Sequence, residues 1–132
     1  MRVLALDYGA ARCGAAVSDP SGTLATPLDV VEAPGSDQGL KALVQLVSSK
    51  GVERVVVGLP IGLSGREGAQ AREARAFADR IEKLLPVPVE TYDERFTTRL
   101  ARRTPGRGDE DSRAAAHLLE SYLRARAGPD TA

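Results

Sequence analysis

Apolar and polar positions along this chain change period several times. From Val3 to Leu6 every residue is apolar, and the run ends on Asp7-Tyr8-Gly9. This pattern predicts a strand over residues 3–8, followed by a tight turn from Gly9 to Arg12. Cys13 to Ser18, rich in small residues, predicts a second strand, and Asp19-Pro20-Ser21-Gly22 a turn. Thr23 to Val31 returns as a third strand. Pro27 interrupts it and lacks a ladder donor, which assigns this strand to a sheet edge. Strands joined by such short links form an antiparallel meander.

The period then lengthens. Leu40, Leu43, Val44 and Val47 recur at helical spacing, with Ser36 placed to cap the helix and Gly51 to close it. Val52 to Leu59, centred on Val55-Val56-Val57, reads as a buried parallel strand. A glycine-rich loop follows over residues 60–68, without the Gly-Lys-Ser/Thr ending of a phosphate-binding P-loop. Ala74, Phe77, Ala78, Ile81 and Leu85 mark one face of a second helix that Pro86 stops, and Val87 to Tyr92 gives a fifth strand. The last helix carries Ala115, Leu118, Leu119 and Tyr122 on one face and opens at Asp111. The order predicts an α/β fold: a five-stranded mixed sheet, three strands antiparallel and two parallel, flanked by helices in one domain over residues 1–127. A right-handed crossover joins the parallel pair. Residues 128–132 read as a disordered tail.

Composition narrows the chemistry more than the fold. The chain has 132 residues, 42% of them apolar, which suits one soluble domain. No apolar run is long enough to cross a bilayer and the N-terminus lacks the order of a signal peptide, so a cytoplasmic protein without membrane partners is expected. Cys13 and His117 are the only cysteine and histidine, which excludes an intrachain disulfide and a thiolate metal cluster. A serine or cysteine hydrolase would have to use His117 as its base, and no nucleophile motif surrounds it. Cys13 is expected to be a buried, inert thiol and His117 structural. Charge balances, with 18 basic and 18 acidic side chains, but unevenly: residues 95–107 hold Arg95, Arg99, Arg102, Arg103 and Arg107 and no acid. The guanidinium fork is suited to phosphate, so this run and Arg12 are candidate nucleic-acid contacts.

The acids stand at informative places. Asp7 ends the first strand, Asp93-Glu94 the fifth, and Asp111 lies one helical turn before Ala115, on the same inward stripe. Carboxylates there are costly to bury unless they are paired or hold a cation. Ligands of open α/β sheets collect beyond the carboxyl ends of strands, and oxygen donors suit magnesium or manganese. Asp7, Asp93, Glu94 and Asp111 are therefore candidate catalytic and metal-binding residues for phosphodiester cleavage, a chemistry that two such ions perform without histidine or cysteine. Plainer roles stay open: Asp7 capping its turn, Asp93 or Glu94 pairing with Arg95 or Arg99, and Asp111 or Ser112 capping the helix. Glu67 is a further candidate acid. The Asp7–Gly14 turn also exposes backbone N–H groups able to cradle a phosphate.

These residues together resemble the YqgF family, also called RuvX-like or Holliday-junction-resolvase-like. The resemblance runs through Leu4-Ala5-Leu6-Asp7-Tyr8-Gly9 with Arg12 and Gly14, Val17-Ser18-Asp19, Val55-Val56-Val57-Gly58-Leu59-Pro60, Gly65, Tyr92-Asp93-Glu94-Arg95 with Thr97-Thr98, Asp111-Ser112, and Leu118-Leu119-Glu120-Ser121-Tyr122-Leu123. It implies a ribonuclease H-like fold and metal-dependent cleavage of structured nucleic acid, with a role in maturing the 5′ end of 16S rRNA. By motif position Asp7, Asp93-Glu94 and Asp111 fall on the family's acidic site. The chain departs from the family in carrying Ala10-Ala11 where Thr-Lys is usual, and in a shorter segment between Thr98 and Asp111. Three readings follow. The first is a nuclease on rRNA precursor or branched DNA. The second is an ATP-handling protein of the actin and sugar-kinase type, which needs two such lobes to enclose nucleotide where 132 residues supply one. The third is a ribosome-assembly factor that binds nucleic acid without cutting it, though the few aromatic residues disfavour a pure single-strand binding platform.

Overall fold

A computed structural model describes residues 1–60, 68–93 and 109–127. Glu67, Glu94, the Arg95–Arg107 run and the expected tail lie outside the described residues. The elements are β1 (Val3–Asp7), β2 (Arg12–Ser18), β3 (Ala25–Glu32), α1 (Asp37–Ser49), β4 (Arg54–Leu59), α2 (Ala69–Leu84), β5 (Val89–Asp93) and α3 (Asp109–Ala127). They form a five-stranded sheet in the order β3-β2-β1-β4-β5. β1, β2 and β3 pair antiparallel, and β4 is parallel to both β1 and β5. The expected mixed sheet and its edge strand are both present, with Pro27 on β3 opposite Ala16.

Alternation along the strands divides the core between two layers. Leu4, Leu6, Ala15, Val55 and Val57 face one side, together with Leu43 and Val47 of α1 and Phe77 and Ile81 of α2. Val3, Ala5, Ala16 and Val56 face the other, against Ala115, Leu118, Leu119 and Tyr122 of α3. Leu4, Leu6 and Leu119 are 0% exposed, and burying each contributes about 1.5–3 kcal/mol. No described helix is long and apolar enough to cross a membrane.

Local hydrogen bonds explain where elements start and stop. The Ser36 hydroxyl accepts from the Gly39 N–H at 3.0 Å and caps α1, as its position in sequence predicts. Gly51, beyond the last turn of α1, has φ +64°, the left-handed conformation expected of it. Leu85 is extended, with ψ 146°, because the ring of Pro86 disfavours a helical residue before it. β3 begins at Ala25, two residues later than the apolar pattern suggests. The Asp19 carboxylate accepts from the N–H groups of Thr23 and Leu24, at 2.8 Å each, and holds them in the turn. β4 likewise starts at Arg54, since the N–H of Val52 donates to the Val47 carbonyl at 3.0 Å and belongs to the exit of α1.

Candidate active site

The sheet register decides which acids can meet. Asp7 pairs with Gly14 and Ala5 with Ala16, so Asp7 and Gly14 lie on the side that α3 covers. A β-carbon placed on Gly14 would overlap the main-chain carbonyl oxygen of Asp111 and sit 3.0 Å from the Ser112 nitrogen. Only glycine lets the first turn of α3 rest directly on β2. Asp111 is thereby carried to the same sheet face as Asp7, each adjoining Gly14. The helix opens at Asp109, so Asp111 lies inside its first turn, and neither it nor Ser112 is the cap.

Side chains fasten this contact. Ser112 is 2% exposed, and its hydroxyl accepts from the Ala15 N–H at a long 3.4 Å, beside the irregularity between Cys13 and Ala15 in the β2–β3 pairing. Arg12 Nε lies 3.4 Å from Asp111 Oδ2, with the two side chains 54% and 40% exposed. At its other end α3 is tied to β5 by the Tyr92 and Ser121 hydroxyls, 2.9 Å apart, and by Tyr122, whose hydroxyl donates to Glu90 at 2.9 Å. Arg54 bridges to the same Glu90 carboxylate.

Cys13 is fully buried, as expected of an inert thiol. Burial pushes its pKa far up, and the charges of Asp7 and Asp111 raise it further. His117 is part-exposed, with Nδ1 3.4 Å from Glu120 Oε1 one helical turn on.

Asp93 ends β5 as expected, but its register partner is Leu59, whose side chain belongs to the α1 and α2 layer. Glu90 and Tyr92 have the opposite parity, toward α3. Asp93 thus takes the side away from Asp7, while Asp7 and Asp111 share one. Among the described residues no three or more His, Cys, Asp and Glu side chains gather closely enough to hold a metal ion. Glu94 lies outside those residues, as do Arg95, Arg99, Arg102, Arg103 and Arg107.

A groove of about 330 Å³ opens beyond the ends of β1 and β4, lined by Asp7, Tyr8, Gly9, Ala10, Pro60, Gln70 and Glu73. The Tyr8 ring stacks on Phe77 of α2, with centroids 4.5 Å apart, which anchors the groove wall. Gln70, Glu73 and the Tyr8–Phe77 contact have no counterpart in the sequence reading. Polar positions on an amphipathic helix look alike whether they line a groove or face water.

Comparison with known proteins agrees with this architecture. A family model described as "RuvX: Holliday junction resolvase" matches residues 1–125. A protein of Chloroflexus aurantiacus named "Putative pre-16S rRNA nuclease" is 39% identical over 133 residues, covering 94% of this chain and 87% of its own length. One of the same name from Anaeromyxobacter dehalogenans is 40% identical over 136 residues, covering 96% and 99%. Among solved structures, Thermus thermophilus RuvC in complex with a Holliday junction substrate aligns with a TM-score of 0.59 at 18% identity, over 98% of this chain and 97% of that one. A second Thermus thermophilus RuvC structure gives 0.58 at 17% identity, over 96% of each chain. That likeness makes the fold ribonuclease H-like. With a family match across nearly its whole length and relatives this similar, the chain belongs to the RuvX family.

Proposed function

We propose that this chain is a divalent-metal-dependent nuclease that cleaves phosphodiester bonds of structured nucleic acid, with the 16S rRNA precursor as its substrate in the cytoplasm. One observation carries the reading: Asp7 and Asp111, 104 positions apart in sequence, lie on one sheet face on either side of Gly14. The names of the relatives favour precursor rRNA, whereas the description of the family model favours branched DNA. We take the rRNA precursor first because relatives 39–40% identical over nearly the whole chain carry that name.

The donors fit magnesium or manganese, since they are carboxylate oxygens, with the single histidine part-exposed and the single thiol buried on the opposite layer. Asp7 and Asp111 would hold the ion, which supplies charge stabilisation at the reacting phosphate. The register of Asp93 with Leu59 argues against Asp93 as a third donor, and Glu94, its neighbour in sequence, is the remaining candidate. The protein's own part is positional. β1 fixes Asp7 within the sheet ladder, the Gly14 contact fixes the turn that carries Asp111, and Arg12 adds a cation beside Asp111. Arg95, Arg99, Arg102, Arg103 and Arg107 would grip the phosphate backbone of the substrate.

The test is direct. A precursor rRNA fragment and a four-way DNA junction are each incubated with the protein and magnesium or manganese, beside Asp7→Asn and Asp111→Asn. Cleavage of the rRNA by the parent and its loss in both variants is the expected result. Intact substrates with every metal would instead favour a binding factor without catalysis, and cleavage of the junction alone would move the substrate to DNA.

A further inference from the structure

We propose that Arg12 is a stand-in cation for Asp111. It occupies that carboxylate in the metal-free protein and is displaced when a divalent ion binds. This rests on the metal-dependent reading above.

Position comes first. Arg12 opens β2 two residues before Gly14, and its side chain reaches Asp111 on the α3 side of the sheet, where Asp7 also lies. It is the only lysine or arginine between Val3 and Leu40. The first three strands therefore offer one cation to the acids of this face. Two carboxylates brought to one surface repel each other, and a neighbouring guanidinium relieves that repulsion when no metal does so.

The contact is built to yield. At 3.4 Å and half exposed, it is looser than the 2.7–2.9 Å of a tight charge-assisted hydrogen bond. Exposed pairs of this kind are weak and screened by water. A divalent ion on Asp111 would take the oxygen that Arg12 faces and repel the guanidinium as a like charge. Arg12 thus competes with the ion for the Asp111 carboxylate, and the cost of displacing it subtracts from metal affinity.

The experiment is titration calorimetry of the full chain with manganese chloride alone, comparing the parent with Arg12→Ala, Arg12→Gln, Arg12→Lys and Asp7→Asn. Each variant's fold is checked by its melting temperature. Loss of the competing cation is expected to tighten manganese binding by about two- to fivefold in Arg12→Ala and Arg12→Gln. Arg12→Lys, which keeps the charge, should stay near the parent. A merely structural role would weaken binding on truncation, so the direction of the change decides. Equal or weaker affinity in the two neutral variants overturns the stand-in role while leaving the metal site intact. Absence of manganese binding by the parent, or binding that Asp7→Asn leaves unchanged, overturns the metal-site reading and this inference with it.

Discussion

Replacing Gly14 with alanine tests the contact on which the candidate site depends. The new β-carbon would overlap the Asp111 carbonyl and lie 3.0 Å from the Ser112 nitrogen. These are backbone atoms in the first turn of a helix, so no flexible side chain can swing aside. Restoring an ordinary separation needs a shift of roughly 1–2 Å between β2 and α3. Overpacking of this kind costs about 1–3 kcal/mol. Lifting α3 also breaks the Ala15 N–H to Ser112 hydroxyl contact, which is long and adds no more than about 1 kcal/mol. The sum is about 1–4 kcal/mol, which in a domain of this size lowers the melting temperature by roughly 4–15 °C. Because the same turn carries Asp111, metal-dependent cleavage should fall by about 100-fold, the usual cost of misplacing a reacting group by an ångström. Thermal denaturation and single-turnover cleavage measure the two effects. Gly35→Ala is the control, since nothing lies within 4 Å of its β-carbon, and it should change neither. A Gly14→Ala protein that melts within a degree or two of the parent and cleaves normally would refute the close approach of α3 to β2.

Three further outcomes are expected. Ser36→Ala removes the cap on the Gly39 N–H and should cost about 0.5–2 kcal/mol by chemical denaturation. Tyr122→Phe deletes the hydroxyl that donates to Glu90 and should destabilise by about 1 kcal/mol, with the far end of α3 exchanging its amides faster. The Asp19 carboxyl is held well below the usual range by the Leu24 N–H first, then by the Ser21 hydroxyl and the Thr23 N–H. Its folded pKa is depressed, so its contribution is present above the unfolded value of about 3.9 and is lost as pH falls below it. Stability measured from pH 6 down to pH 2 should therefore drop less steeply in Asp19→Asn than in the parent.

The strands were legible because each is a short apolar run closed by a turn residue, and the edge position of β3 because Pro27 removes a donor. Strand starts were less so. Asp19 captures the amides of Thr23 and Leu24, a choice that propensity does not encode. The acids were legible as strand-end carboxylates, but their facing was not. A pleated strand sends its side chains alternately to opposite sides, so facing depends on register. Register with Leu59 then gives Asp93 the side away from Asp7. Gly14 looked like one end of a phosphate-cradling turn. Its contact with Asp111 joins positions 97 apart, and no local pattern reports such a partner.

That separation has a consequence for how the site is assembled. Asp7 is placed by the β1–β2 ladder, a local hairpin between neighbouring strands. Asp111 arrives with the last element of the chain and reaches the sheet only where Gly14 admits it. α3 is then pinned at both ends, by Ser112 against Ala15 at its start and by Tyr122 against Glu90 near its finish. Closing such long-range contacts carries a loop entropy that the local hairpin avoids. The acidic pair thus depends on long-range closure of the chain. A change that loosens α3 dismantles the site from the Asp111 side, while Asp7 keeps its place in the sheet.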